Sequence, residues 1–419
     1  MISNRFPTRT TALLSTRKLV ALVSGTAAVF LGSIAAHAEA TQQTQLAQTV
    51  STQSGPVNVE RLAQLDNPWG MVFLPDGRLL ITEKPGHLRV YADGKLSEPI
   101  KGVPGVDYQD QGGLLDVTID PDFARNGLVY LSYSEAAGQQ PKVESDKADP
   151  RLGEFQDLTD TVLKGAAVAR GKLDGLQLRD VKVIWRQEPK TIGRGHFGGR
   201  LAFAPDGKLF ISSGDRQRFE PAQDPGSNIG KIIRINADGS IPGDNPFVNQ
   251  AGARGDIWAL GIRNALGLAF KPGSEQLWEH EMGPKGGDEL NRIERGKNHG
   301  WPIVSPGDHY DDAPIPRHST RPEFAAPLQS WNPSISPSGM AFYTGDVFSA
   351  WRGDVLLGGL SGQALTRLTL KDGKVTAEER IDMQRRIRDV IQAPDGAVLL
   401  LTDGDNADLL RLTPATKRR

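Results

Sequence analysis

Short apolar runs, each led by a tight polar turn, recur along this chain. The clearest are FLPDGRLLIT at 73–82, FAPDGKLFIS at 203–212 and QAPDGAVLLLT at 392–402. Proline presets one backbone angle and glycine supplies a left-handed position, so Pro-Asp-Gly reads as a turn and the run after it as a buried strand. Looser copies fill the gaps: IDPDFARNGLVYLSYS at 119–134, FKPGSEQLWEHE at 270–281 and DVFSAWRGDVLLGGL at 346–360. Several lead into another strand and polar turn, as in LRVYADG at 88–94, IIRINADG at 232–239 and LTRLTLKDG at 365–373. Six such units, with almost no helical periodicity, predict an all-β chain, a six-bladed β-propeller with four-stranded antiparallel blades. A β-sandwich with coincidental turns would not require six spaced copies. The strand near Val57–Gln64 is expected to pair with the last blade and remove a free sheet edge. Residues 135–163 carry no repeat signal and are expected to form a long inter-strand loop.

Ahead of the repeats the pattern changes. Arg5, Arg9, Arg17 and Lys18 form a basic leader, Leu19 to Ala36 is free of charge, and Ala36-His37-Ala38 precedes Glu39. That order predicts a cleaved signal peptide over 1–38, hence a periplasmic or secreted protein. An uncleaved anchor is the other reading of the apolar run, but its Gly, Ala and Ser content makes it weakly hydrophobic. Residues 39–55 are expected to be a flexible polar lead-in, and 56–415 a single propeller domain. No later segment is apolar enough to span a bilayer, so no stable membrane insertion of the mature chain is expected.

Removing residues 1–38 takes away four basic residues and no acidic ones, moving the formal charge from −1 to −5. A mildly acidic protein offers no electrostatic case for binding nucleic acid. The absence of cysteine excludes disulfides and thiolate chemistry.

Candidate chemistry sits where the repeat breaks. GRGHFGGRL at 193–201 frames His196 with four glycines. Glycine gives room for a ligand or a close backbone, and a neutral imidazole there could take a proton from a hydroxyl group. The frame leaves a general base and an inert turn histidine on even terms. Arg263 and Asn264 end a predicted strand, and Arg386 and Arg388 share one strand face by period-two alternation. Inward-pointing arginines suit an anionic, carboxylate-bearing ligand; a solvated charge run is the other reading of RRIR. In HEMGPKGGDELNRIERGKNHGW, 280–301, Gly283-Pro284 reads as an exposed turn with free carbonyls, followed by Asp288 and Glu289. Such oxygens suit calcium, although the spacing is not that of an EF-hand. Gln111 stands beside a glycine pair in DQGGLLDV.

Taken together, QGGLLD, GHFGGRL, GIRNALG, GPKGGDE, NHGWP, SGMAFY and RIRDV, in that order, resemble the soluble aldose sugar dehydrogenases that use pyrroloquinoline quinone (PQQ), relatives of soluble quinoprotein glucose dehydrogenase. The resemblance runs from NPWGMVFLPDG at 67–77 to RDVIQAPDG at 388–396. It implies a six-bladed propeller that oxidises an aldose at C1 to the lactone. His196 would be the base, with hydride passing to the quinone. Gln111, Arg263, Asn264, Tyr310, Arg386 and Arg388 would hold PQQ, and Trp331 would line the substrate cleft. One calcium would bind the carbonyls of Gly283 and Pro284, and a second, structural one Glu289 and the carbonyl of His299. The resemblance names neither the sugar nor the electron acceptor, and a monomer or a homodimer fits it.

Three positions depart from the family pattern. Ser361 stands at a cofactor-contacting lysine, so one cationic contact is missing unless a neighbour such as Arg367 or Lys371 supplies it. Gly195 stands before the histidine where Asp or Asn is common, removing a possible orienting hydrogen bond. His299 replaces a common tyrosine, which a backbone ligand tolerates. Rival readings are a calcium-dependent propeller lactonase, a non-catalytic propeller that binds carbohydrate or protein, and an enzyme that has lost PQQ because of Ser361.

Overall fold

The computed structural model describes residues 45–140, 142, 151 and 160–415. The expected signal peptide lies outside the described residues, as does most of the loop expected over 135–163. The described chain opens with the antiparallel pair β1 (Gln45–Thr52) and β2 (Gly55–Leu65). Blade 1 is β3 (Pro68–Phe73), β4 (Leu79–Glu83), β5 (His87–Ala92) and β6 (Lys95–Leu96). Blade 2 is β7 (Leu114–Ile119), β8 (Leu128–Ala136), β9 (Lys164–Asp174) and β10 (Gln177–Arg186). Blade 3 is β11 (Gly198–Phe203), β12 (Leu209–Ser213), β13 (Lys231–Ile235) and β14 (Ile257–Leu260). Blade 4 is β15 (Ala265–Phe270), β16 (Leu277–Glu281), β17 (Asp288–Ile293) and β18 (Gln329–Trp331). Blade 5 is β19 (Pro337–Phe342), β20 (Val355–Gly359), β21 (Ala364–Lys371) and β22 (Lys374–Asp382). Blade 6 joins β23 (Ile387–Gln392), β24 (Val398–Thr402) and β25 (Ala407–Pro414) to β2 and β1. Each first strand packs on the next, and β23 on β3, so the six ring a central axis.

All six sequence repeats fall on the connection between the first and second strand of a blade. In the three Pro-Asp-Gly copies the turn is built identically. The aspartate accepts the N–H two residues on, as in Asp76–Arg78, Asp206–Lys208 and Asp395–Ala397. The glycine follows at positive φ, between 77° and 88°. Every residue of β4, β12, β16, β20 and β24 is buried. A second strand has a neighbouring blade on both faces, which is why these runs are continuously apolar rather than alternating. Six hydrophobic clusters result, one between each pair of adjacent blades.

Closure follows the expected route, with β2 paired to β25 from Val57↔Pro414 to Leu65↔Ala407. The flexible lead-in expected over 39–55 does not hold for Gln45–Thr52, which is β1, the fifth strand of blade 6. Its polar residues lie on an outer edge strand, where solvent satisfies them. Among the described residues no helix is long and apolar enough to cross a membrane.

Arg200 of β11 pins the axis. Its guanidinium lies over the Trp69 ring from blade 1 and pairs with Asp116 of blade 2 at 3.2 Å and Asp389 of blade 6 at 3.1 Å. It also donates to the carbonyls of Leu266 in blade 4 and Arg388 in blade 6.

Candidate active site

Antiparallel pairing puts the start of each first strand and the end of each second strand at one end of the propeller. A cleft of about 870 Å³ opens there. Gln111, His196, Arg263 and Asn264, Ser336 and Arg386 enter it from just before β7, β11, β15, β19 and β23. Lys84, Gln217, Gly283 and Pro284, Ser361 and Asp403 enter from just beyond β4, β12, β16, β20 and β24. The cleft thus gathers Gln111, His196, Arg263, Asn264, Tyr310, Ser361, Arg386, Arg388, Gly283 and Pro284.

His196 is buried and adopts a positive φ of 51°. Gln111 fixes its backbone, the Oε1 accepting the His196 N–H at 2.9 Å. The backbone of Gly214 comes so close that a Cβ there would lie 2.2 Å from the His196 carbonyl. The imidazole Nδ1 lies 2.6 Å from Asp215 Oδ1, and Asp215 Oδ2 accepts the Trp301 indole N–H at 2.7 Å. Nδ1 therefore carries the proton, and Nε2 is the nitrogen left to the cleft. Burial, reinforced by the Arg263 guanidinium, lowers the His196 pKa from its ordinary value, although Asp215 opposes this. Burial alone would raise Asp215, but the imidazole, Arg263 and the Gln217 N–H together outweigh it and the carboxyl lies below its usual range. The site therefore holds a neutral imidazole beside a carboxylate.

Asp215 was not foreseen from the sequence. It supplies the orienting hydrogen bond that Gly195 cannot. A side chain at 195 would instead meet Gln217, whose amide carbon lies 2.9 Å from the position of a Cβ.

Four arginines line the cleft, Arg194, Arg263, Arg386 and Arg388. Arg386 Nε donates to Asp403 Oδ2 at 2.8 Å, and Arg388 Nη2 to Asp403 Oδ1 at 2.7 Å. Arg263 donates to the Met282 carbonyl at 2.8 Å and lies over the Trp301 ring. Asn264 Oδ1 accepts the Gly198 N–H at 3.1 Å. Asp403 and Lys84 also line the cleft and were missed by sequence reasoning. Ser361 Oγ lies 2.7 Å from Ser336 Oγ. Neither substitute considered for Ser361 lines the cleft. Arg367 pairs with Asp354 and Glu379, and Lys371 is exposed at the end of β21.

The Gly283-Pro284 turn lines the cleft but is buried, not exposed as expected. Asp288 braces it, accepting N–H groups from Gly283, Ile335 and Ser336. Among the described residues the Gly283 and Pro284 carbonyls accept no hydrogen bond.

Trp331 is not in the cleft. It closes blade 4 on β18, packs in the core between blades 4 and 5, and donates its indole N–H to Glu378 at 2.8 Å. The chain reaches the cleft only a few residues later, at Ser334 and Ser336, while the Trp331 ring is buried in the interface between the two sheets.

Glu289 and His299 meet in a separate small cavity behind the cleft, with Glu281, Gly283 and Arg263. The His299 carbonyl accepts from His318 Nε2 at 3.0 Å, which leaves one lone pair. Where other second strands read LLITE or VLLLT, β16 reads LWEHE. Register sets Glu281 opposite Glu289 and Glu279 opposite Asn291 on one buried face. Burial, and then the neighbouring carboxylates, push Glu279 well above the usual range; burial pushes Glu289 up likewise and Glu281 to about 8. Among the described residues, both carboxyl oxygens of Glu279 and the Asn291 Oδ1 have no hydrogen-bond partner.

Comparison with known proteins adds to this geometry. The profile of the glucose/sorbosone dehydrogenase family matches residues 65–411. The chain is 41% identical over 369 residues to aldose sugar dehydrogenase YliI of Escherichia coli strain K12, covering 85% of this chain and 93% of that protein. A crystal structure of a glucose dehydrogenase is 44% identical, with a TM-score of 0.77 over 85% of this chain and 99% of that one. The PQQ-bound aldose sugar dehydrogenase of Streptomyces coelicolor is 27% identical, with a TM-score of 0.65 over 88% of this chain and 97% of that one.

Proposed function

The chain belongs to the glucose/sorbosone dehydrogenase family and is an oxidoreductase, and from that premise we propose that it oxidises aldose sugars at C1 to the lactone with PQQ and calcium, using His196 as base. The observation that carries this reading is the His196–Asp215–Trp301 relay opening onto a cleft lined by four arginines.

The residues fit such a cofactor. PQQ is a planar tricarboxylate, and guanidinium forks suit carboxylates. A volume of about 870 Å³ also lies in the range of sites that enclose a small molecule. Arg263, Arg386 and Arg388, with Gln111, Asn264, Tyr310 and Ser361, would hold it. For calcium, the carbonyls of Gly283 and Pro284, unpartnered among the described residues, are hard oxygen donors on residues that line the cleft. The orphaned oxygens of Glu279, beside Glu281 and Glu289, favour a second cation near Glu289 and His299. Among the described residues no three His, Asp or Glu groups form a metal cage. The protein's share of each calcium shell is thus expected from carbonyl oxygens and single carboxylates.

When bound, PQQ would supply the hydride acceptor. His196 Nε2 would accept the C1 hydroxyl proton as the C1–H bond gives up its electron pair, leaving a carbonyl at C1. Asp215, held by Trp301, would keep the imidazole in the right tautomer and stabilise the imidazolium that forms. Burial, and then the positive charge of Arg263, hold the His196 pKa below its ordinary value and so favour the unprotonated base.

Reconstitution tests the reading. Purified protein given PQQ and calcium should reduce an artificial dye only when an aldose is present. A strong chelator should abolish that activity and lower the melting temperature, since a ligand that binds only the folded state stabilises it. No aldose-dependent reduction at saturating PQQ and calcium would contradict it.

A further inference from the structure

Arg386 and Arg388 set two guanidiniums against the single carboxylate of Asp403. Lys84 has no such partner. It is the first residue beyond β4, half-buried, and lines the cleft together with Arg386, Arg388 and Asp403. Its Nζ donates to the backbone carbonyl of Asp110 and lies 5.7 Å from the centre of the Tyr108 ring. No carboxylate forms an ion pair with it among the described residues. Lys84 occupies in blade 1 the place that Ser361 occupies in blade 5, just past the second strand.

We propose that Lys84 supplies the cationic contact that Ser361 lacks, anchoring an acidic group of the bound quinone from the other side of blade 6. The inference rests on the PQQ reading and assigns that role to a residue outside the matched motifs. Three observations converge on it: the position in the cleft wall, the absence of a carboxylate ion pair among the described residues, and the single hydroxyl contact that Ser361 makes, with Ser336. Burial, and then Arg388, hold the lysine below its ordinary pKa. An arriving anion would relieve that penalty, which makes the site selective for acidic ligands.

Titrating apoprotein with PQQ at fixed calcium, followed by tryptophan fluorescence or calorimetry, tests this without any turnover. Lys84→Met keeps the apolar stem and should raise Kd by about 10- to 100-fold, the size of one well-placed charge-assisted hydrogen bond. Lys84→Arg should bind within a few-fold of wild type. Ser361→Lys should recover most of the loss in the Lys84→Met background and change the wild type little. An unchanged melting temperature will show that the variants are folded. Equal PQQ affinity in Lys84→Met and wild type overturns the inference alone. So does a Ser361→Lys gain that is as large in wild type as in Lys84→Met. A folded wild type that binds no PQQ overturns both the inference and the reading it rests on.

Discussion

Arg200 and Arg388 touch, since Arg200 Nη2 donates to the Arg388 carbonyl at 3.3 Å, yet they belong to different kinds of site. Around Arg200, two buried carboxylates face one guanidinium, the Leu266 carbonyl takes the Nε proton, and Trp69 covers the face. Around Arg388 and Arg386, one carboxylate serves two guanidiniums, and the Arg386 side chain is 47% exposed. The hub is a closed network and joins four other elements of the ring to β11. The cleft is an open one, with donors and positive charge left over. Charge alone does not distinguish structure from binding in this molecule; what distinguishes them is whether the network is already complete.

The comparison can be broken by removing each arginine in turn. Arg200→Met leaves Asp116 and Asp389 buried without their cation and should cost about 3–5 kcal/mol of stability, read as a lower midpoint in denaturant. Arg388→Met leaves Asp403 still paired with Arg386. It should cost clearly less stability than Arg200→Met, because Asp403 keeps a cation, while weakening PQQ binding about 10- to 100-fold. Similar losses of stability in the two variants would show that the cleft arginines are also part of the scaffold.

A finer effect lies in the pH profile. The base must be neutral, so the acid limb of kcat/KM follows the pKa of His196, which lies below its ordinary value. Asp215 pulls that pKa up and Arg263 pushes it down. Asp215→Asn should therefore lower kcat and move the acid limb to lower pH. Arg263→Met should move the limb to higher pH. Limbs that shift the same way in both variants would mean that the limb reports some other group.

How much of this was legible in the sequence follows from the same geometry. The propeller was readable because six similar turns mark the same hairpin in every blade, and the closing strand because the first apolar run needed an edge to cover. Sequence motifs also marked the approaches to the first strands, at Gln111, His196, Arg263 and Arg386. Lys84, Asp215 and Asp403 were missed because they follow the second strands, at the end of apolar runs read only as core. One signal was present: each stands one or two residues past such a run, in TEK, SSGD and LTD. Trp331 was misplaced because a resemblance carries over a residue type but not the strand face on which it sits, here the core between blades 4 and 5. The polar segment around Gln45–Thr52 looked flexible because an outer edge strand needs no apolar face.

The central claim is that this cleft oxidises the sugar with His196 as its base. Its most direct test is a single turnover, mixing PQQ- and calcium-loaded protein with an aldose in the absence of any acceptor and following the cofactor's absorbance. Wild type should show rapid sugar-dependent reduction, slowed by deuterium at C1. His196→Ala should bind PQQ with unchanged affinity and react about 10²–10⁴-fold more slowly. A His196→Ala protein that reacts within a few-fold of wild type would contradict the account.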